Sequence, residues 1–227
     1  MTELIVAIDE PDYGHARVVV ERTAPVVDWY KVGYEAYYGY GDLILTLLRE
    51  AGKRVFLDLK LHDIPNTVGA AVRTTAHTGA KLLTVHASGG AAMLGAAAAA
   101  KSAGMRIVAV TVLTSLAAED LRAIGIEAEP KDQALRLALL ARSCGIDGVV
   151  CAVDDAARIR SECGPGFTIV CPGIRSSGSP SGDQRRVATP ADAARAGADF
   201  IVVGRPVTKA DDPAAAARAI VDELRPS

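Results

Sequence analysis

Val55-Phe56-Leu57-Asp58-Leu59-Lys60-Leu61-His62-Asp63-Ile64-Pro65-Asn66-Thr67 places charge inside what otherwise reads as a buried strand. At a strand period of two, Leu57, Leu59 and Leu61 share one face, and Phe56, Asp58 and Lys60 share the other. A strand rich in leucine and valine on one side, followed at once by Pro65 at a helix start, belongs to a parallel sheet covered by helices, where neither face meets water. The leucine face is expected to pack on helices. Asp58 and Lys60 would then point inward, near the C-terminal end of the strand, and buried charges of this kind are costly unless paired.

The same strand-to-helix rhythm runs outward in both directions. Apolar segments of strand length recur at Leu4–Asp9, Trp29–Tyr34, Val55–Leu61, Leu82–Ala87, Arg106–Leu113, Gly148–Ala152, Thr168–Ile174 and Phe200–Val207. Between them lie Ala-rich amphipathic segments, among them Pro65–Thr78, Ala91–Ala103, Lys131–Ser143 and Pro213–Leu224. Gly52, Gly79, Gly104, Gly145 and Gly197 each stand a few residues before a strand, where glycine ends a helix. Eight such units in 227 residues predict a single-domain α/β protein, a (β/α)8 TIM barrel over residues 1–227. A doubly wound open sheet fits less well, because no Gly-x-Gly-x-x-Gly follows the first strand and no Gly-x-x-x-x-Gly-Lys-Ser/Thr occurs.

Composition narrows the function. With 50% hydrophobic residues, 23% charged residues and a net charge of -2, the chain is no disordered segment and no polycationic nucleic-acid binder. No apolar run reaches membrane-span length and the N-terminus lacks a signal-peptide pattern, so a cytoplasmic protein with a small-molecule partner is expected. Cys144, Cys151, Cys163 and Cys171 are seven, twelve and eight residues apart, a spacing that suits buried hydrophobes better than zinc or redox pairs.

Barrel enzymes carry their chemistry where the strands end. Asp9 and Lys31 end the first two strands, Asp58 and Lys60 the third, and Asp63 follows directly, giving five ionisable groups expected at one rim. A lone Asp-x-Lys would read equally well as a structural ion pair. The added carboxylates favour a site. His86, at the end of strand four, is expected to line the cavity; His62 is given no role, and His15 and His77 read as structural or exposed. Thr114 and Ser115 end strand five and could meet a substrate or cap the short helix expected after them. Pro172-Gly173-Ile174-Arg175 and Gly204-Arg205 follow strands seven and eight, whose loops commonly form a barrel's phosphate site, so a phosphorylated small molecule is expected. The long Gly-, Ser- and Pro-rich stretch at 175–189, with its arginines and Gln184, reads as a mobile loop over that phosphate.

Taken together, Asp58-Leu-Lys60-Leu-His-Asp63-Ile-Pro-Asn-Thr67, Pro172-Gly-Ile-Arg175, Gly182-Asp-Gln184-Arg and Val203-Gly-Arg205-Pro-Val-Thr strongly resemble the orotidine 5'-phosphate decarboxylases, nearly end to end. Ala7-Ile-Asp9, Lys31-Val-Gly and Val110-Thr-Val-Leu-Thr114-Ser fall on further motifs of that family. Cys171 stands where Ser or Thr would be expected. The resemblance implies loss of CO2 from orotidine 5'-phosphate to give UMP, without metal or organic cofactor. It places Lys60 as proton donor to C6, Asp58 beside the departing carboxylate, Lys31 on Asp58 and the ribose, and Asp9 on the ribose hydroxyls. It further implies a homodimer in which Asp63, Ile64 and Thr67 serve the neighbouring site. Thr114 would meet the pyrimidine, Gln184 would bridge base and phosphate, and Pro172, Arg175, Gly204 and Arg205 would surround the phosphate. Two readings compete: a Mg2+-dependent sugar-phosphate enzyme of the same barrel group, and a barrel that binds a nucleotide without turning it over.

Overall fold

The computed structural model describes residues 1–175 and 188–225. Eight parallel strands, β1 (Glu3–Ile8), β2 (Trp29–Val32), β3 (Arg54–Leu61), β4 (Leu82–His86), β5 (Arg106–Val110), β6 (Gly148–Val150), β7 (Thr168–Cys171) and β8 (Phe200–Val203), close into a barrel in sequence order. Each predicted strand is present, usually ending two to four residues sooner than the apolar run does. Those trailing residues form the rim instead. The helices that bear on the site are α1 (Tyr13–Thr23), α2 (Tyr34–Tyr40), α3 (Asp42–Glu50), α4 (Pro65–Thr75), α5 (Gly90–Ala100) and α6 (Ala118–Ala123). They continue with α7 (Pro130–Ser143), α8 (Val153–Cys163), α9 (Pro190–Arg195), α10 (Arg205–Thr208) and α11 (Pro213–Glu223).

Strand alternation separates two hydrophobic layers. Ile5, Ala7, Trp29, Phe56, Leu82, Val108, Val170, Phe200 and Val202 fill the barrel interior. Val6, Ile8, Tyr30, Val32, Leu57, Leu83, Val85, Ile107 and Ile201 face outward and pack with the helices. Leu59 and Leu61 join that outer layer as expected. So do all four cysteines, of which Cys151, Cys163 and Cys171 are buried.

The lower end of the barrel is plugged by aromatics. Trp29 and Phe200 meet edge to face at 5.1 Å, with the Arg54 guanidinium 4.6 Å above Trp29 and that of Arg106 5.5 Å above Phe200. A cavity opens at the opposite, C-terminal end. Close strand approach is enforced at Gly148, where an added Cβ would lie 2.2 Å from the Thr168 carbonyl oxygen. The five glycines expected to stop helices have φ between 68° and 83°, the left-handed region that glycine occupies without strain.

The β3–β4 ladder breaks where the charges begin. Leu57 pairs with Leu83 and Leu61 with Val85, so three residues of β3 stand opposite Thr84 alone. Lys60 takes φ 44°, the only non-glycine residue with positive φ among those described. Period-two alternation therefore holds through Asp58 and is replaced by a bulge at Lys60.

Candidate active site

A cavity of about 580 Å³ opens at the C-terminal end of the barrel, and its wall includes Asp9, Lys31, Asp58, Lys60, Thr114, Pro172, Arg175, Gly204 and Arg205. Inward-facing alternation delivers most of these. On β1, Ile5 and Ala7 are followed by Asp9; on β2, Trp29 by Lys31; on β3, Phe56 by Asp58; and on β8, Phe200 and Val202 by Gly204. The apolar floor and the charged rim thus come from the same strands, one layer apart.

At the centre is a chain of alternating charge. Lys60 Nζ donates to Asp58 Oδ2 at 2.8 Å, Lys31 Nζ lies 3.5 Å from the same oxygen, and Lys31 Nζ donates to Asp9 Oδ1 at 3.1 Å. The second Asp58 oxygen accepts the Thr84 hydroxyl at 2.9 Å. Asp58 is only 6% exposed. Burial by itself would raise its carboxyl pKa, but Lys31 and Lys60, with the hydrogen bonds from Lys60 and Thr84, outweigh that and hold it below the ordinary carboxylate value. For Lys31 the order is the same: burial would lower the ammonium, and Asp58 and Asp9 hold it above the usual lysine value. Both groups are therefore charged at neutral pH. Gly33 makes room for the pair, because a Cβ there would come within 2.6 Å of Lys31 Nζ.

Lys60 also lies 5.5 Å above the ring of Tyr34, whose hydroxyl donates to the Leu59 carbonyl at 3.1 Å. The aromatic face and Asp58 Oδ2 fix the ammonium from two sides. On the far side of the cavity, Gly204, Arg205 and Thr208 face Pro172, Gly173 and Arg175. Arg175 is tied to the chain through Nη1, which donates to the Ile174 carbonyl at 2.8 Å.

The charged rim is smaller than the sequence predicts. Four of the five ionisable groups line the cavity, and Asp63 does not. The turn at Lys60 carries the chain out of the barrel, where Asp63 accepts its neighbour Ile64's N–H at 2.6 Å ahead of α4. Asp63 and Thr67 instead line a second, more open cavity with Tyr34 and Tyr38, and Ile64 is 66% exposed beside them. His86 is likewise displaced from its expected place. Its ring stacks on His62 at 5.4 Å rather than joining the cavity wall, and burial, with His62 and Lys60 nearby, lowers its pKa. Thr114 and Ser115 line the cavity, and at the start of α6 Asp120 accepts the Ala117 N–H at 2.8 Å. Gln184 and most of the 175–189 stretch lie outside the described residues.

Three wall or support residues escape the sequence reading. Glu35 reaches the cavity from the first turn of α2, and Thr208 from α10. Thr84 was legible in principle, since it is the polar member of Leu82-Leu83-Thr84-Val85 at an inward register.

An apolar-floored barrel with a buried Asp between two lysines on one side of its mouth and two arginines on the other can be compared with known proteins. The sequence profile of the orotidine 5'-phosphate decarboxylase / HUMPS family matches residues 2–220. Over 231 aligned positions the chain is 50% identical to the orotidine 5'-phosphate decarboxylase of Moorella thermoacetica, covering 98% of this chain and 92% of that one. The protein of the same name from Sodalis glossinidius is 48% identical, with coverages of 98% and 90%. Among solved structures, orotidine 5'-phosphate decarboxylase from Lactobacillus acidophilus superposes over the full length of both chains with a TM-score of 0.87 at 35% identity. The family profile and these relatives span nearly the whole chain, and the chain belongs to the orotidine 5'-phosphate decarboxylase / HUMPS family.

Proposed function

We propose that this chain decarboxylates orotidine 5'-phosphate to UMP and CO2, with Lys60 supplying the proton. The observation that carries the reading is the alternating row Asp9–Lys31–Asp58–Lys60 along one side of a cavity whose opposite wall holds Arg175 and Arg205. The arginines suit a phosphate, for which guanidinium offers bidentate hydrogen bonds. The charged row is matched to the reaction. As the bond from C6 to the carboxylate breaks, its electron pair stays on C6 and CO2 departs. The Lys60 ammonium, held 2.8 Å from Asp58, stabilises that growing negative charge more than it stabilises the neutral ring. It then transfers its proton to C6, giving UMP, and is reprotonated from solvent. Asp58 stays ionised, places Lys60 and Lys31, and faces the substrate carboxylate before it leaves.

Lys31, bridging Asp9 and Asp58, is suited to hold the ribose end, and Thr114 the pyrimidine; Gln184 is assigned to base and phosphate from the family pattern alone. Asp63, Ile64 and Thr67 are assigned to the neighbouring site of a homodimer. Their position outside the cavity, beside Tyr38 at 77% exposure, supports a surface that a second copy completes.

Both Asp58 oxygens are already engaged, by the Lys60 and Lys31 ammonium groups and by the Thr84 hydroxyl. A Mg2+ ion at Asp58 would have to displace these contacts, so the Mg2+-dependent alternative fits this donor set less well. The test is the ultraviolet band of orotidine 5'-phosphate incubated with the protein, with and without EDTA. Loss of the band at equal rates in both, with UMP as product, is expected. Activity that EDTA abolishes, or none toward this substrate, would overturn the reading.

A further inference from the structure

Thr84 is fully buried, lies outside the cavity wall, and directs its hydroxyl to two residues of β3. Its hydroxyl donates to Asp58 Oδ1 at 2.9 Å and accepts the Lys60 backbone N–H at 2.7 Å. The direction is fixed, because an ionised carboxylate can only accept and an amide N–H can only donate. The ladder explains why a side chain is needed. With three β3 residues opposite one β4 residue, the Lys60 N–H has lost its regular strand partner, and Lys60 sits at φ 44°, where a non-glycine residue persists only if its surroundings hold it. We propose that Thr84 is a positioning residue whose single hydroxyl couples the orientation of the Asp58 carboxylate to the bulge that aims Lys60.

This rests on the decarboxylase reading above and assigns a further residue to it. Valine at this position would keep the shape of threonine while leaving the half-buried Lys60 N–H without its Thr84 acceptor and Asp58 with one donor fewer. The charged and titratable neighbours of Asp58 are Lys31 on β2, Lys60 on β3, His86 on β4 and Tyr34 on α2, with Asp9 reached through Lys31 and His62 stacked on His86. All of these are unchanged by the substitution. The hydroxyl is one of the contacts that hold the carboxyl low, so its removal moves the Asp58 titration to higher pH.

The experiment pairs kinetics with a readout that needs no turnover. In Thr84→Val, kcat for orotidine 5'-phosphate is expected to fall roughly 10- to 100-fold, the range of one hydrogen bond to a charged group, with KM altered less than about threefold. Thr84→Ser should return kcat to within about threefold of the parent. The Asp58 carboxyl, followed by ¹³C NMR and identified with Asp58→Asn, should titrate at higher pH in Thr84→Val and at the parental pH in Thr84→Ser. A slower variant with an unmoved Asp58 titration, a moved titration with parental kcat, or a serine variant as slow as valine would each overturn the proposal. If Thr84→Val does not fold, Thr84→Ala carries the same expectations. If the parent itself does not turn over orotidine 5'-phosphate, the decarboxylase reading falls, and the Asp58 titration alone decides whether Thr84 positions that carboxylate.

Discussion

Replacing Lys31 by methionine removes the cation shared by two carboxylates while keeping an unbranched side chain of similar length. Lys31 is 12% exposed and Asp58 9% at the side chain, so the 3.5 Å contact between them is little screened by solvent. Removing one partner of a buried pair typically costs about 3–5 kcal/mol. Lys60 at 2.8 Å and Thr84 at 2.9 Å remain on Asp58, so the expected loss at pH 7 is smaller, about 2–3 kcal/mol. In a chain of this size that lowers the melting temperature by roughly 4–12 °C. The pH dependence distinguishes this from loss of packing. The folded Asp58 pKa lies below its unfolded value, so its stabilisation is present above the unfolded pKa and disappears as pH falls through the folded one. Without Lys31, burial of Asp58 is less well opposed and the folded pKa rises. The stability gap between parent and Lys31→Met should therefore be widest near neutrality and narrow as pH is lowered through the carboxylate range. Urea unfolding from pH 7 down to below 3.8, the ordinary carboxylate value, measures it. An equal gap at every pH would refute the electrostatic reasoning and leave only a packing role for Lys31.

Arg205→Ala should weaken UMP binding about 10-fold or more while leaving uridine binding unchanged, as titration calorimetry with the two ligands would show; equal losses for both would remove Arg205 from the phosphate. Mixing Lys60→Ala with Asp63→Ala should regain activity through heterodimers that carry one intact shared site. No regain despite subunit exchange would indicate self-contained sites. Gly148→Ala should cost roughly 1–3 kcal/mol, seen as a lower melting temperature, because its Cβ would meet the Thr168 carbonyl oxygen at 2.2 Å.

The barrel is legible in the sequence because each unit repeats the same physical pattern. An apolar strand runs to the rim, and in five of the units a glycine ends the helix ahead of the next strand. Asp9, Lys31, Asp58 and Gly204 could be placed at the cavity because alternation continues unbroken to each of them. It fails at the bulge. Nothing in Leu59-Lys60-Leu61 announces a positive φ, and from there the chain swings outward and takes Asp63 with it. His86 continues the inward register of Leu82 and Thr84, yet the end of the strand frees its ring to stack on His62. Thr84 went unread because a hydroxyl in an apolar strand is usually satisfied locally, and only the unequal β3–β4 register shows what it is for. Glu35 lies on a helix whose first turn happens to overhang the cavity, a placement set by tertiary packing.

On the proposed mechanism, Lys60 protonates C6 of orotidine 5'-phosphate once CO2 has left. Single-turnover decarboxylation by the parent and by Lys60→Ala, each saturated with substrate and each shown to bind UMP, tests it most directly. Conversion to UMP by the parent and none measurable by the variant is expected, with UMP affinity retained. Decarboxylation by Lys60→Ala at a rate near that of the parent would contradict it.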